Sequence, residues 1–383
     1  MRFLISAGEA SGELYGAGLM EALRRRVPDV SFFGVGGQRM RESGLDTIVD
    51  AHQISVVGLA EVVKHLPMIR REFNRLVKEA AERKPDAAIL IDFPDFNLRL
   101  ARELHKLGIP VIYYVSPQLW AWREGRVKQV KRYVRKMLVI FPFEEAFYHK
   151  HGVEAEYVGH PLADVPLPSI TREQFAAENG LDPSKTWVSL LPGSRRKEFL
   201  LNFHGIMDSA NQLGSMYQYL MPVASSLDQG WVTDQIAHRT TNHRDAGDVE
   251  VRTVADARAA LAHSCAAIVA SGTATVEAAL IGTPFVMIYR VTPLTYALGR
   301  RLVKLQHFAM PNLIAGRAIV PEFVQDEFVP TKVAATLRRL LVDGQDRQIM
   351  LKDLEEMRSK LHTPDARTAT DRAAAAILAC LGR

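Results

Sequence analysis

Ala88-Ile89-Leu90-Ile91-Asp92-Phe93-Pro94-Asp95-Phe96-Asn97 is the stretch on which the fold turns. Four apolar residues make a short buried strand. An acidic loop containing a proline follows, and between Asn97 and Leu107 the apolar positions recur at helical spacing. Strand, loop and helix in that order form one half of a βαβ unit, and such units build parallel sheets. An Asp at the end of a buried strand is costly unless it is hydrogen-bonded or used. In open parallel sheets ligands bind beyond the carboxyl ends of the strands. Asp92 would therefore face the cleft, and partial desolvation there would make it a better base. Asp95 fits the role of a helix cap better than Asp92 does.

The same texture extends in both directions. Upstream, strands centre on Phe3-Leu4-Ile5 and Phe32-Phe33, with a helix over Leu14–Arg26. Downstream, they centre on Val111–Val115 and Met137–Ile140. Around Val158–Ser169 the texture breaks, because Gly159, Pro161, Pro166 and Pro168 favour extended chain. The pattern then restarts. Trp187–Leu191, Ala266–Ala270 and Phe285–Tyr289 read as strands, with two more near Tyr219–Val223 and Val249–Val251. From Lys332 onward the chain reads as helices. The 383 residues are too many for one core and suit two. The expected fold is α/β, with two Rossmann-like domains facing a cleft. Residues 1–164 make the first, 165–345 the second, and helices over 346–383 cross back to the first.

Composition is that of an ordinary globular chain. The formal charge of +5 is compatible with an anionic partner, but opposite charges are interspersed and simple solubility explains it as well. Cys265 and Cys380 make no disulfide framework, which fits a reducing cytoplasm. The N-terminus does not read as a signal peptide, since Phe3-Leu4-Ile5 is short and Glu9 follows soon after. No run of about 18 apolar residues occurs, so membrane contact would be peripheral.

Several strand ends carry chemistry. The first strand runs into Gly8-Glu9-Ala10-Ser11-Gly12-Glu13, where two carboxylates suit sugar hydroxyls better than a pyrophosphate. Gly34-Val35-Gly36-Gly37 is a turn or a ligand contact. Ser116-Pro117-Gln118-Leu119-Trp120-Ala121-Trp122-Arg123 leads into the basic run Arg126, Lys128, Lys131, Arg132, Arg135 and Lys136, which is either a solvated face or an anionic surface site. In the second half, Leu191-Pro192-Gly193-Ser194-Arg195 offers backbone N–H groups, a hydroxyl and a planar guanidinium for phosphate oxygens. Ser271-Gly272-Thr273 opens a helix, a natural diphosphate site. Glu277 follows one turn later, within reach of a ribose diol. Ile54–Arg71 has apolar residues at helical spacing beside basic ones, and either packs inside or meets acyl chains. Scattered histidines give no metal cluster, and neither a Walker loop nor a G-x-S-x-G elbow is present.

Taken in order, Gly8–Gly12, Ile91–Asn97, Ser116–Arg123, Gly159-His160-Pro161, Leu191–Arg195, Ser271–Thr273 and Pro311-Asn312-Leu313 make the chain resemble lipid-A-disaccharide synthases over nearly its whole length. These are inverting glycosyltransferases of the two-Rossmann-domain (GT-B) type. The resemblance implies condensation of UDP-2,3-diacylglucosamine with 2,3-diacylglucosamine 1-phosphate. The products are lipid A disaccharide 1-phosphate and UDP. It implies no cofactor, metal or nucleic acid, and work at the cytoplasmic face of the inner membrane of Gram-negative bacteria. It leaves homodimerisation open. By the same resemblance Asp92 is the general base, Arg195 a diphosphate contact and Asn312 a residue near the donor. Glu9 joins the catalytic set; Gly8, Gly193, Ser194, Ser271, Gly272, Thr273 and Glu277 join the substrate and UDP contacts. Glu13 stands where the family carries Asp and is left out of the site. Another UDP-sugar transferase or an epimerase on this fold is the nearest alternative, and a non-catalytic nucleotide- or lipid-binding module a remoter one.

Overall fold

The computed structural model describes every residue except 55–58, 243–248, 294, 297, 298, 300–304, 364 and 366. The chain divides into two compact units. One is Met1–Asp164 with Leu361–Arg383, and the other is Val165–Lys360.

The first unit is built on seven parallel strands: β1 (Arg2–Ala7), β2 (Ser31–Gly36), β3 (Leu45–Asp50), β4 (Ala87–Ile91), β5 (Val111–Tyr114), β6 (Lys136–Val139) and β7 (Ala155–Tyr157). Their order is β3-β2-β1-β4-β5-β6-β7. Every residue of β4 and β5 is buried. Central strands covered on both faces read as unbroken apolar runs, which is why they stand out in the sequence. β3 was not anticipated: Leu45-Asp46-Thr47-Ile48-Val49-Asp50 is an edge strand with exposed Asp46. β7, three residues long at the other edge, is too short to leave a pattern.

The second unit holds six parallel strands: β8 (Trp187–Leu191), β9 (Gln218–Pro222), β10 (Val251–Val254), β11 (Ala266–Ala270), β12 (Phe285–Tyr289) and β13 (Glu322–Val324). The order is β10-β9-β8-β11-β12-β13. β10 begins where the sequence reading ended it, and the short edge strand β13 was missed.

Both sheets reverse direction at their first strand. The chain winds outward from β1 through β2 to β3, then returns to add β4 on the other side of β1; β8 and β11 repeat this. Such a switch point leaves a crevice beyond the strand ends. Registers Ala7↔Ile91 and Leu191↔Val269 bring the loops after each pair out side by side.

The helix Ala369–Cys380 belongs to the first unit. Fully buried Ala373 and Ala374 help it pack on the helix Ala10–Arg26, while Asp371 takes Arg25 and Arg26 at 3.1 and 2.9 Å. Residues 346–360 remain with the second unit. Of the stretch Ile54–Arg71, residues 55–58 lie outside the described ones. In the helix Leu59–Arg83, Met68, Ile69, Phe73 and Val77 pack half-buried against the first core, and Leu66 is exposed. Among the described residues no helix is long and apolar enough to cross a membrane.

Candidate functional site

The end of β4 is strained. Asp92 and Phe93 are consecutive non-glycine residues with φ of +43° and +51°, and Val115, at the end of the neighbouring β5, has φ +63°. Left-handed backbone is unfavourable for L side chains, most of all for a β-branched one, and persists only where the surroundings impose it. Here they do. The Asp92 N–H is shared by the carbonyls of Val115 (3.2 Å) and Tyr114 (3.3 Å). The Asp92 carbonyl accepts the Tyr113 hydroxyl at 2.5 Å and the Asn97 side-chain N–H at 2.9 Å. Asn97 is wholly buried. Its Nδ2 also donates to the carbonyls of Ile91 and Ser6, and its Oδ1 accepts the Ser6 hydroxyl at 2.7 Å.

The loop after β1 lies against this one. A β-carbon on Gly8 would stand 2.4 Å from the Phe93 ring, so only glycine fits. Glu9, half-buried, is the residue before the helix Ala10–Arg26. The loop that carries Gly8 and Glu9 and the loop that carries Asp92 therefore adjoin. Glu13 is buried, with its carboxylate packed on Gly37.

The loop after β5 is held from below. The Ser116 and Tyr148 hydroxyls are 2.8 Å apart, and Trp120 Nε1 donates to Glu144 Oε1 at 3.0 Å. Glu144 is buried at the start of the helix Pro142–Lys150, and burial pushes its carboxyl up to about 8. Asp95 is not the helix cap. It is exposed, and its Oδ1 takes both Arg123 (2.9 Å) and Arg126 (2.7 Å). Partial burial pushes its carboxyl up, but the two guanidiniums outweigh that and hold it below the ordinary carboxylate range.

In the second unit, Gly193 has φ +124°, and Glu198 packs beneath it so closely that a β-carbon would meet its carboxylate carbon at 2.4 Å. The Ser194 N–H, expected to face a diphosphate, donates to Glu198 Oε2 at 3.2 Å. Glu198 opens the helix Arg196–Leu213 and reaches back to these amides as the glutamate of a capping box does. Burial pushes its carboxyl up. The side chains of Ser194 and Arg195 lie on the surface.

Gly272 is the residue before the helix Thr273–Ile281, and Gly272 and Thr273 are exposed. Ser271 Oγ donates to the Phe308 carbonyl at 3.2 Å. Glu277 pairs with Arg258 at 3.3 Å, and burial pushes its carboxyl up. Asn312 is wholly buried. Its Oδ1 accepts the N–H groups of Ile319 and Val320, both at 2.8 Å, and its Nδ2 donates to Glu322 Oε1 at 2.7 Å. Glu322 also takes the N–H groups of Phe308 and Ala309. Asn312 thus orders the segment on which Ser271 leans.

Sequence reasoning missed Asn97, Tyr113, Glu144 and Glu198. Glu144 and Glu198 had a local signal, a place in the first turn of a helix. The others act through contacts across strands and loops.

The profile of the family described as "Lipid-A-disaccharide synthetase" matches residues 3–377. A lipid-A-disaccharide synthase of Koribacter versatilis is 55% identical over 387 residues, covering 100% of this chain and 99% of that one. One of Acidobacterium capsulatum is 54% identical over 366 residues, covering 94% and 92%. Among solved structures, MurG of Acinetobacter baumannii superposes with a TM-score of 0.57 at 14% identity over 99% of both chains, a likeness of fold alone.

Proposed function

The chain belongs to the lipid-A-disaccharide synthetase family and is a glycosyltransferase of lipid A disaccharide synthesis; from that premise we propose how its residues divide the reaction. The donor is UDP-2,3-diacylglucosamine and the acceptor 2,3-diacylglucosamine 1-phosphate. Asp92 takes the proton of the acceptor's 6-hydroxyl. That oxygen bonds to the donor's anomeric carbon as the bond to the diphosphate breaks, and UDP leaves with the electron pair. The linkage inverts to β-1,6. Glu9, on the adjoining loop, orients a sugar by its hydroxyls.

The observation that carries this reading is the left-handed backbone at Asp92, clamped by Tyr113 and Asn97. A strained residue fixed at a strand end is a sign of a built site. In the second unit, Arg195 and the exposed helix start at Ser271–Thr273 stabilise the departing diphosphate, with Gly193 and Ser194 shaping the adjoining loop. Glu277 holds the ribose, and Asn312 keeps the loop beside Ser271 in place. Gly8 lets the first loop close on Phe93. Because both substrates carry acyl chains, the enzyme works in peripheral contact with the cytoplasmic face of the inner membrane.

The test is UDP release by purified protein given the acylated donor with and without the acceptor, in detergent. Release that requires both lipids supports the reading. Release from plain UDP-N-acetylglucosamine, and none from the acylated donor, overturns the substrate assignment.

A further inference from the structure

The proposed acceptor carries one group that no residue so far receives, its anomeric phosphate. It hangs on C1, which only the ring oxygen separates from C5 and its 6-hydroxymethyl group. The first unit offers a cationic group on the helix that follows Asp92. Asp95 lies three residues beyond Asp92, in the first turn of the helix Pro94–Lys106. A single oxygen of Asp95 holds Arg123 at 2.9 Å and Arg126 at 2.7 Å. Two guanidiniums share one carboxylate, so the cluster keeps a charge of +1. Both arginine side chains are about a third exposed, at 30% each.

Further contacts hold the cluster. The Arg123 guanidinium stacks 3.8 Å above the ring of Trp122. Two residues earlier, Trp120 is fixed by Glu144, and Ser116 by Tyr148. A planar fork with five N–H donors, held in place beforehand, matches phosphate oxygens two at a time. A phosphate monoester bears about −1.5 to −2 charges at neutral pH, more than Asp95 supplies. The lysines of the neighbouring basic run are point charges on flexible stems and have no such fork.

We propose that Arg123 and Arg126, held by Asp95 beside the Asp92 loop, form the subsite that reads the phosphate of the acceptor. In the absence of acceptor the Asp95 carboxylate occupies the ground between the two forks; the incoming dianion binds them with it or in its place. This rests on the acceptor proposed above and adds a specificity role that the basal chemistry does not require.

The experiment compares two acceptors in detergent micelles free of anionic lipid: 2,3-diacylglucosamine 1-phosphate and the same sugar without its phosphate. Wild type is expected to favour the phosphorylated acceptor by about 10–100-fold in kcat/KM, the usual worth of hydrogen bonds to a charged group. In Arg123→Ala and Arg126→Ala that preference should shrink, and in the double variant it should approach one. UDP affinity, measured by calorimetry, should match wild type. Turnover of the dephosphorylated acceptor reports that each variant is folded. Equal losses on both acceptors would overturn the subsite, as would weakened UDP binding, which would move the arginines to the donor. A phosphate preference that survives the double variant in micelles, with losses only on anionic vesicles, would assign them to membrane headgroups and also overturn it. Failure of the wild type to join the two lipids would instead sink the reaction itself.

Discussion

The side-chain amide of Asn97 donates to the carbonyl of Asp92 at 2.9 Å, from a position with no exposure to solvent. The same amide closes on Ile91 and Ser6. One buried side chain therefore spans β1, β4 and the loop that presents the proposed base. Asn97→Ala takes one donor from each of three backbone carbonyls and the acceptor from the Ser6 hydroxyl, and a buried group left unsatisfied costs about 1–3 kcal/mol. Tyr113→Phe removes only the hydroxyl on Asp92. Both variants should lose about 10-fold or more in kcat while binding UDP as wild type does, because the donor side is untouched. Steady-state kinetics with UDP calorimetry checks this.

Glu198 should set how tightly UDP binds. Its carboxylate sits under Gly193 and accepts the Ser194 N–H that the sequence had assigned to a phosphate. A second anion near that loop is opposed by its charge. Glu198→Gln keeps the shape and removes the charge, and should tighten UDP several-fold. Because burial raises this carboxyl, wild-type affinity should also weaken as pH rises through its titration, and the variant should lack that slope. Calorimetry at a series of pH values upward from the ordinary carboxylate range reads both effects.

Two buried groups of the first unit give stability a defined pH profile. Glu144 titrates at 4.5 in a solvated chain and at about 8 when folded. Between those values the folded state holds the extra proton, so stability falls as pH rises toward 8. His160 is lowered by burial from 6.5 to about 3, so the unfolded chain holds the extra proton between those values and stability falls as pH drops below 6.5. Between 4.5 and 6.5 the two slopes oppose each other. Glu144→Gln, which keeps an acceptor for Trp120, should show a smaller loss of Tm than wild type between pH 6.5 and 8. Melting curves across that range are the check.

Arg195→Ala should lower kcat by about 10²–10³, the usual cost of one preorganised donor to developing charge. Arg195 is exposed at the start of its helix and carries no part of the core, so Tm should stay near wild type.

Much of the fold was legible because central parallel strands must be apolar on both faces. β4, β5, β8 and β11 announce themselves as short apolar runs. The edge strands β3, β7 and β13 do not, since an exposed edge tolerates charge and a three-residue strand has no period. The loops after β1, β4, β8 and β11 were legible for a related reason: a Gly, Ser or Asp where a strand ends has few structural explanations. Asn97 was visible as the start of a helix and the end of the segment Ile91–Asn97, and Asn312 looked like a ligand contact, yet both use their amides inside the fold. A buried amide that orders a loop and an exposed one that binds a ligand look alike in sequence. Pairings such as Asp95 with Arg123 and Arg126 depend on how two loops leave neighbouring strands, which no local pattern records.

The most direct test of the account is the turnover of Asp92→Asn, a variant that keeps the size and backbone demands of the site and removes the base. With both lipids saturating, kcat should fall by about 10²–10⁴, the usual worth of general-base help. UDP affinity and Tm should remain those of wild type. Turnover within a few-fold of wild type would contradict the account, and would show that the proton of the acceptor hydroxyl leaves by another route.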